Sequence, residues 1–296
     1  MTMTQIVDRT AAASRLDPVS RRLTALVDRV PVGVRDALHG VWLGHPVHPM
    51  LAQLPVGAWT SAALVDVVAL ALPPGERRAG ADRAAAQALL GIGLAAAPAT
   101  AAAGVTDWSK LLPEQQRVGL VHASANTVAL GLLTASFVRR RRGRPAGRLL
   151  GLLGVAVASA GAGIGGHLSY RWAAGANHAQ DVPHVAPSEW TALGPLQEFE
   201  QRSPVLRHVG DTPVVVVRRG STVTVLADHC SHLSGPLHEG RLVEAGGDDC
   251  IVCPWHGSTF ALENGSVRHG PATAPQPGFD VQVSEGVVRA RVRPAA

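Results

Sequence analysis

The chain has 296 residues, of which 46% are hydrophobic but only 4% aromatic and 17% charged, against roughly 25% charged in an ordinary soluble protein. Its length allows two domains at about 100 to 200 residues each, and its apolar content excludes a disordered chain. The 27 basic residues are all arginine except Lys110 and give a formal charge of +5, which would suit nucleic acid only if gathered on one surface.

Residues 1–44 carry Arg9, Arg15, Arg21, Arg22, Arg29 and Arg35 among spaced Leu and Val. Without a long apolar run they read as a tail or an amphipathic surface helix, and no cleavable signal peptide is evident. Four stretches then meet the roughly 20 apolar residues that a membrane-spanning helix needs: Met50 to Leu72, Ala84 to Thr106, Val118 to Val138 and Leu149 to Gly166. A soluble bundle would set a charged face against each apolar stripe, yet from Leu149 to Tyr170 there is no charged residue. The expected architecture is a four-helix transmembrane bundle, rich in Ala and Gly that permit close packing.

Short loops orient the bundle. Arg77, Arg78 and Arg83 follow the first span, and Arg139, Arg140, Arg141, Arg142, Arg144 and Arg148 follow the third, against Lys110 and Arg117 between the second and third. Nine basic residues against two place the first and third loops in the cytoplasm. The arginine run is therefore a membrane loop, and the expected partner is the lipid bilayer, with no nucleic acid.

In an up-and-down bundle the opposite ends gather His45, His48, Asp107, Trp108, His122 and His167 on the outer face. Polar groups at membrane depth are functional candidates by default. Here they could form a quinone or haem site with His48, His122 and His167 as contributors, or simply cap helices and sit among headgroups. Asp66 and Asn126 lie deeper, as candidate hydrogen-bonding partners inside the bundle. The segments Gly44-His45-Pro46-Val47-His48-Pro49-Met50-Leu51, Gly104-Val105-Thr106-Asp107-Trp108 and Gly165-Gly166-His167-Leu168-Ser169-Tyr170-Arg171 resemble a four-helix bacterial membrane family of unassigned function. The resemblance implies a multi-pass protein of a bacterial cell membrane and supplies no activity.

From Trp172 to Trp190 periodicity lapses and Pro183 and Pro187 intervene, which marks a linker. Short β segments follow: Thr212 to Arg218 and Ser221 to Asp228 flank Arg219-Gly220, and Phe279 to Ser284 and Val287 to Val292 flank Glu285-Gly286, both hairpin signals. The expected division is a tail at 1–44, a transmembrane domain at 45–171, a linker at 172–189 and an all-β domain at 190–296.

The chemistry is concentrated in Cys230-Ser231-His232 and Cys253-Pro254-Trp255-His256. Each loop offers one thiolate and one imidazole, a donor set that suits zinc or an iron-sulfur cluster. The spacing C-x-H, 20 residues, C-x-x-H, set within CSHLSGPLHEG and CPWHGSTF and followed by ENGSVRHGPATAP, resembles a Rieske 2Fe-2S domain. The resemblance implies that Cys230 and Cys253 bind one iron, that His232 and His256 bind the other, and that the activity is one-electron transfer. Two thiolates and two neutral imidazoles leave the diferric core uncharged, where four thiolates would make it −2, so reduction is easier than in plant-type ferredoxins. Histidine tips turned to solvent would give the electron an exit.

Rieske proteins of quinol-cytochrome c reductases carry an extra Cys in each loop, joined as a disulfide, and Ser and Tyr donors after the second. Here Ser234 and Trp255 stand at the Cys positions, Ser258 matches the Ser, and Phe260 replaces the Tyr. The sequence is closer to ferredoxin-type and oxygenase-type domains, so a low to intermediate potential is expected. With 40 residues after His256, a terminal oxygenase by itself is not expected. Cys250 reads as a small buried hydrophobe, and His229 and His238 as surface residues. The full expectation is a membrane-anchored electron carrier with an unnamed donor and acceptor. Its rivals are a zinc-stabilised, non-redox binding module and a redox sensor on the same anchor.

Overall fold

The computed structural model describes residues 3–73, 79–144 and 146–293, so Arg77 and Arg78 of the first loop lie outside the described residues. The chain forms two compact units: Met1–Arg29 with Val47–Ala174, and Val30–Pro46 with Gly175–Ala296.

The first unit is helical. It opens with α1 (Met3–Ala11) and α2 (Asp17–Val27); α3 (Val32–His39) belongs to the second unit. Four long helices follow, α4 (Val47–Ala71), α5 (Ala79–Trp108), α6 (Pro113–Arg141) and α7 (Ala146–Arg171). All four are long and apolar enough to cross a membrane, and they extend the expected spans by two to five residues at every end except the carboxyl end of α4, which stops one residue short. α4 packs closely on α5, and α6 on α7, while α5 with α6 and α7 with α4 close the ring, so α4 and α6 lie on one diagonal. Glycines set the closeness: a Cβ on Gly93 would run into the Trp59 indole, one on Gly119 into Trp108, and one on Gly154 would lie 2.8 Å from Leu133 Cγ. Leu54, Leu64, Val67, Val68, Ile92, Val128, Leu149 and Leu153 face outward, the apolar exterior that a bilayer-embedded bundle presents.

Helices α1 and α2 pack against α6. Arg117 makes a bidentate contact with Asp17, at 2.6 and 3.0 Å, and donates to the Ala11 carbonyl at 2.5 Å; Lys110 reaches Asp28 at 2.6 Å. Both cations of the second loop are thus paired with the amino-terminal helices.

The arginine run is only partly a loop. Arg139, Arg140 and Arg141 complete the last turn of α6, and Arg140 turns inward to Asp66 of α4. Both are buried, Nη1 lies 3.0 Å from Oδ1, and Arg148 adds a 3.2 Å contact to the same carboxylate. Arg140 also donates to Ser136 Oγ at 3.1 Å, whose hydroxyl donates to the Gly147 carbonyl at 2.6 Å. A carboxylate buried among apolar helices requires a compensating charge, and that draws two arginines out of the basic loop.

The second unit is β-rich. After α8 (Val182–Val185) come β1 (Thr191–Pro195), β2 (Val205–Val209), β3 (Thr212–Arg219), β4 (Thr222–Ala227), β5 (Arg241–Ala245), β6 (Asp248–Val252), β7 (Thr259–Ala261), β8 (Val267–His269), β9 (Phe279–Ser284) and β10 (Val287–Val292). They form antiparallel sheets ordered β1-β10-β9, β2-β3-β4 and β5-β6-β7-β8. The β9–β10 hairpin turns at Glu285 and Gly286, with φ of 53° and 74°, the paired left-handed residues of a tight hairpin turn.

Residues 172–189, expected as a linker, contribute to this unit's interior: Ala179, Val182 and Ala186 are buried with Phe199, Val214, Val216 and Phe279. Three apolar residues spread over eight positions give no readable period, yet they cover one sheet face. The segment 30–46 also joins this unit, because Asp36 accepts hydrogen bonds from His269 Nδ1 at 2.8 Å and the Gly270 amide at 2.9 Å.

Candidate metal centre

Two loops carry the motif, one after β4 and one after β6, and both are folded on the same plan. The Cys230 carbonyl accepts from the Ser234 amide at 2.8 Å and the Cys230 amide donates to Gly235 O at 2.9 Å; Cys253 does the same with Gly257, at 3.1 Å, and Ser258, at 2.8 Å. In each loop the residue four past the cysteine is left-handed, Ser234 at φ 61° and Gly257 at φ 82°. These closed turns hold each thiol beside backbone amides: the His232 amide supports Cys230, and the Trp255 and His256 amides support Cys253.

The four motif side chains come together in two pairs. Both thiols are buried and hydrogen-bond to each other; that bond, with burial, drives the Cys230 thiol well above its usual range, while its donation to Cys253 lowers the latter to about 7. The His232 and His256 rings meet edge to face with centroids 5.1 Å apart. Among the described residues no three His, Cys, Asp or Glu gather as a single-ion site would require. A Cβ on Gly235 would lie 2.8 Å from Cys253 Sγ and 3.0 Å from the Trp255 ring, so the cradle over the second cysteine accepts only glycine. Paired soft donors, buried and fed by amide N–H groups, fit a dinuclear iron-sulfur group.

A third loop, at 270–278, braces the other two. Gln276, buried, accepts from the Ser231 amide at 3.0 Å and donates to the carbonyls of Ala227 and His229 at 2.8 and 2.7 Å. The Ser231 hydroxyl donates to Ala274 O at 2.8 Å, and the Ala272 amide donates to Ser258 Oγ at 3.0 Å. The Ser258 hydroxyl in turn donates to Cys230 Sγ. Nothing in the sequence marked Gln276; its partners lie 45 to 49 residues away. Gln276→Ala is expected to lower the stability of the cluster fold by about 3 kcal/mol, because a buried donor or acceptor left unpaired costs about 1–3 kcal/mol. Thermal bleaching of the visible cluster absorbance, followed in the full-length protein, checks this.

His232 is buried, at 9% exposure, His256 is partly exposed, and Trp255 is half exposed, so solvent reaches the His256 side rather than both histidine tips. Phe260 is buried in β7 and packs in the same cluster as Cys230, Cys253 and Leu237. Cys250 stands apart on β6, fully buried, its thiol raised by burial and close to the Asp248 carbonyl at 3.4 Å. His229 is exposed, whereas His238 is tied down by Nδ1 to buried Asp228 at 2.8 Å, so of the two only His229 is the surface residue expected.

Two family models match the sequence, "Rieske [2Fe-2S] domain" over residues 189–283 and "Predicted membrane protein (DUF2231)" over 44–178. The anthranilate 1,2-dioxygenase ferredoxin subunit of Burkholderia cepacia is 32% identical over 105 residues, 36% of this chain and 94% of that protein. Ferredoxin CarAc of Metapseudomonas resinovorans is 36% identical over 83 residues, 28% of this chain and 74% of that one. The cytochrome b6-f complex iron-sulfur subunit of Chlorobaculum tepidum is 26% identical over 97 residues, covering 33% and 50%. With a 2Fe-2S domain behind four apolar helices of a membrane-protein family, the chain belongs to the Rieske family, as a fusion of a Rieske domain to a DUF2231 membrane domain.

Proposed function

We propose that the chain is a membrane-anchored one-electron carrier in which Cys230 and Cys253 hold one iron of the cluster and His232 and His256 the other. The observation that carries this reading is the shared plan of the two loops, which brings both thiols together in the interior and both imidazoles together beside them. When bound, such a group takes up and returns one electron at roughly −150 to +300 mV. The chain's residues set where in that range it works: the Ser258 hydroxyl and the amides of His232, Trp255 and His256 stabilise negative charge on the sulfurs, and Phe260 offers no hydroxyl where quinol reductases have one. Iron and sulfide analysis, with an electron paramagnetic resonance spectrum of the dithionite-reduced protein, tests the reading. Two irons and two sulfides per chain with a reduced-state signal are expected, while zinc without sulfide would leave a non-redox binding module.

Ser258→Ala removes one donor to Cys230 and is expected to lower the midpoint potential by some tens of millivolts, where 59 mV is a tenfold change for one electron. Redox titration followed by the same signal checks the direction, and a raised midpoint would contradict the role given to Ser258.

The name of the Burkholderia cepacia relative, a dioxygenase ferredoxin subunit, makes an oxygenase one candidate acceptor. The membrane half supports another, a quinone or haem at the histidine end of the bundle. The excess of arginine in the first and third loops, set against only Lys110 and Arg117 between the second and third spans, both neutralised by Asp28 and Asp17, supports an inside location for those loops and an outer location for the histidine end and the cluster domain. Labelling of single cysteines placed at Arg142 and at Asn177 in intact cells tests it: only the second should react with an impermeant reagent.

A further inference from the structure

Two histidines of the bundle are held alike. His48, on α4, bonds through Nδ1 to the Thr100 carbonyl of α5 at 3.0 Å, and a Cβ on Gly104, one turn further along α5, would lie 2.7 Å from its Cε1. His122, on α6, bonds through Nδ1 to the Gly161 carbonyl of α7 at 2.8 Å, and a Cβ on Gly165, again one turn on, would lie 3.1 Å from its Cε1. A carbonyl only accepts, so in both rings Nδ1 carries the proton and Nε2 presents a lone pair. For His122 the Asn126 amide, 3.0 Å from Nε2, requires the same tautomer.

The two histidines lie at the same end of helices that are diagonal partners in the bundle. Asp66 lies 18 residues after His48, and Arg140 lies 18 after His122. At about 100° per residue, 18 residues are five full turns, so each histidine shares its helix stripe with the charged residue about 27 Å away. Asp66 and Arg140 are bonded to each other across the α4–α6 diagonal, which fixes those stripes as inward-facing and opposed. Five turns back along the same two stripes, His48 and His122 are accordingly opposed at the other end. Between them the walls are small: residues 95–104 of α5 read AAAPATAAAG and 156–166 of α7 read AVASAGAGIGG.

From this geometry we infer that the bundle binds one b-type haem, with His48 and His122 as its two axial ligands. The inference rests on the reading of the membrane half as an electron-carrying element. Two imidazoles are too few for a single ion held by protein alone, which takes three or four ligands. They are the whole protein complement of a six-coordinate haem, whose porphyrin supplies the other four nitrogens. An oxidised quinone would instead ask for N–H donors, and both Nδ1–H groups are already used on backbone carbonyls. Those carbonyl bonds are what orient a metal-binding imidazole and raise its basicity. Ligation through His122 requires the Asn126 amide to give up its 3.0 Å contact with Nε2. The ferric and ferrous states differ by one electron, the same step as the cluster's.

The test uses the full-length protein made in haem-replete cells and purified in detergent. About one haem per chain is expected by pyridine haemochrome assay, with a low-spin reduced spectrum. His48→Ala and His122→Ala should each lose the haem or turn it high-spin, and added imidazole should restore the low-spin spectrum, which a misfolded bundle would not allow. Asn126→Ala and His167→Ala should keep it. In all four variants the reduced-cluster resonance signal should persist, so that loss of haem is distinguishable from failure of the cluster assignment. Protein with a full cluster but no haem, a copurifying quinone without haem, or an unchanged low-spin spectrum in both histidine variants overturns the inference.

Discussion

Replacing Cys230, His232, Cys253 or His256 with alanine is expected to abolish the reduced-state resonance signal or reduce the iron content to a small fraction of the parent's, because in the proposed assignment each iron has two protein ligands and one of the irons would lose half of them. Cys250→Ser is expected to leave cluster content unchanged. Cys250 is buried on β6 beside the Asp248 carbonyl, away from the thiol pair, and its hydroxyl replacement can use the same acceptor. Iron, sulfide and spectral measurements on the five variants decide it: a normal spectrum in His256→Ala, or a missing cluster in Cys250→Ser, would reverse the ligand assignment. The cysteine variants should fail more completely than His256→Ala, since Cys230 and Cys253 lie in the core with Leu237, Ile251 and Phe260, whereas His256 is partly exposed and water can approach its place.

The second large effect lies in the membrane half. Asp66→Ala leaves Arg140 buried without its carboxylate, and removing one partner of a buried pair costs about 3–5 kcal/mol. A sharp drop in thermal stability in detergent is expected, together with poor accumulation in membranes. Arg140→Ala should be milder, because Arg148 still reaches Asp66 at 3.2 Å, and Arg148→Ala milder again. The double variant Asp66→Leu/Arg140→Leu should recover much of the loss, as it leaves no unpaired charge behind. Equal stability of Asp66→Ala and the parent would show that the pair does not hold α4 to α6 and α7.

Some features were legible because they are local. The four spans follow from runs of apolar residues, and their ends differ from the expected ones by no more than five residues in the structure. The β3–β4 and β9–β10 hairpins were visible as alternating strands around Arg219-Gly220 and Glu285-Gly286, since a tight turn is specified by the two residues that take left-handed φ. The cluster motif needed only the spacing of four residues within 27 positions, with the resemblance supplying how the ligands divide between the irons. Asp66 and Asn126 stood out as polar residues within apolar runs, but the sequence named neither the arginines that answer the first nor the histidine that answers the second.

Read along the chain alone, the residues settle which segments are long and apolar enough to cross a bilayer, which fold as β, and which four side chains make up the cluster motif, because composition, alternation and short spacings are set by neighbours along the chain. The tertiary structure alone decided that Arg140 and Arg148 leave the basic run for Asp66, that Gln276 braces the first cysteine loop, that residues 30–46 and 179–186 belong with the β unit, and that His48 and His122 share one tautomer and one geometry. Each of these depends on a partner more than 30 residues distant or on a neighbouring helix or sheet face. A buried charge, amide or imidazole is satisfied by whatever donor or acceptor the fold brings within about 3 Å, and that partner has no signature in the residues beside it.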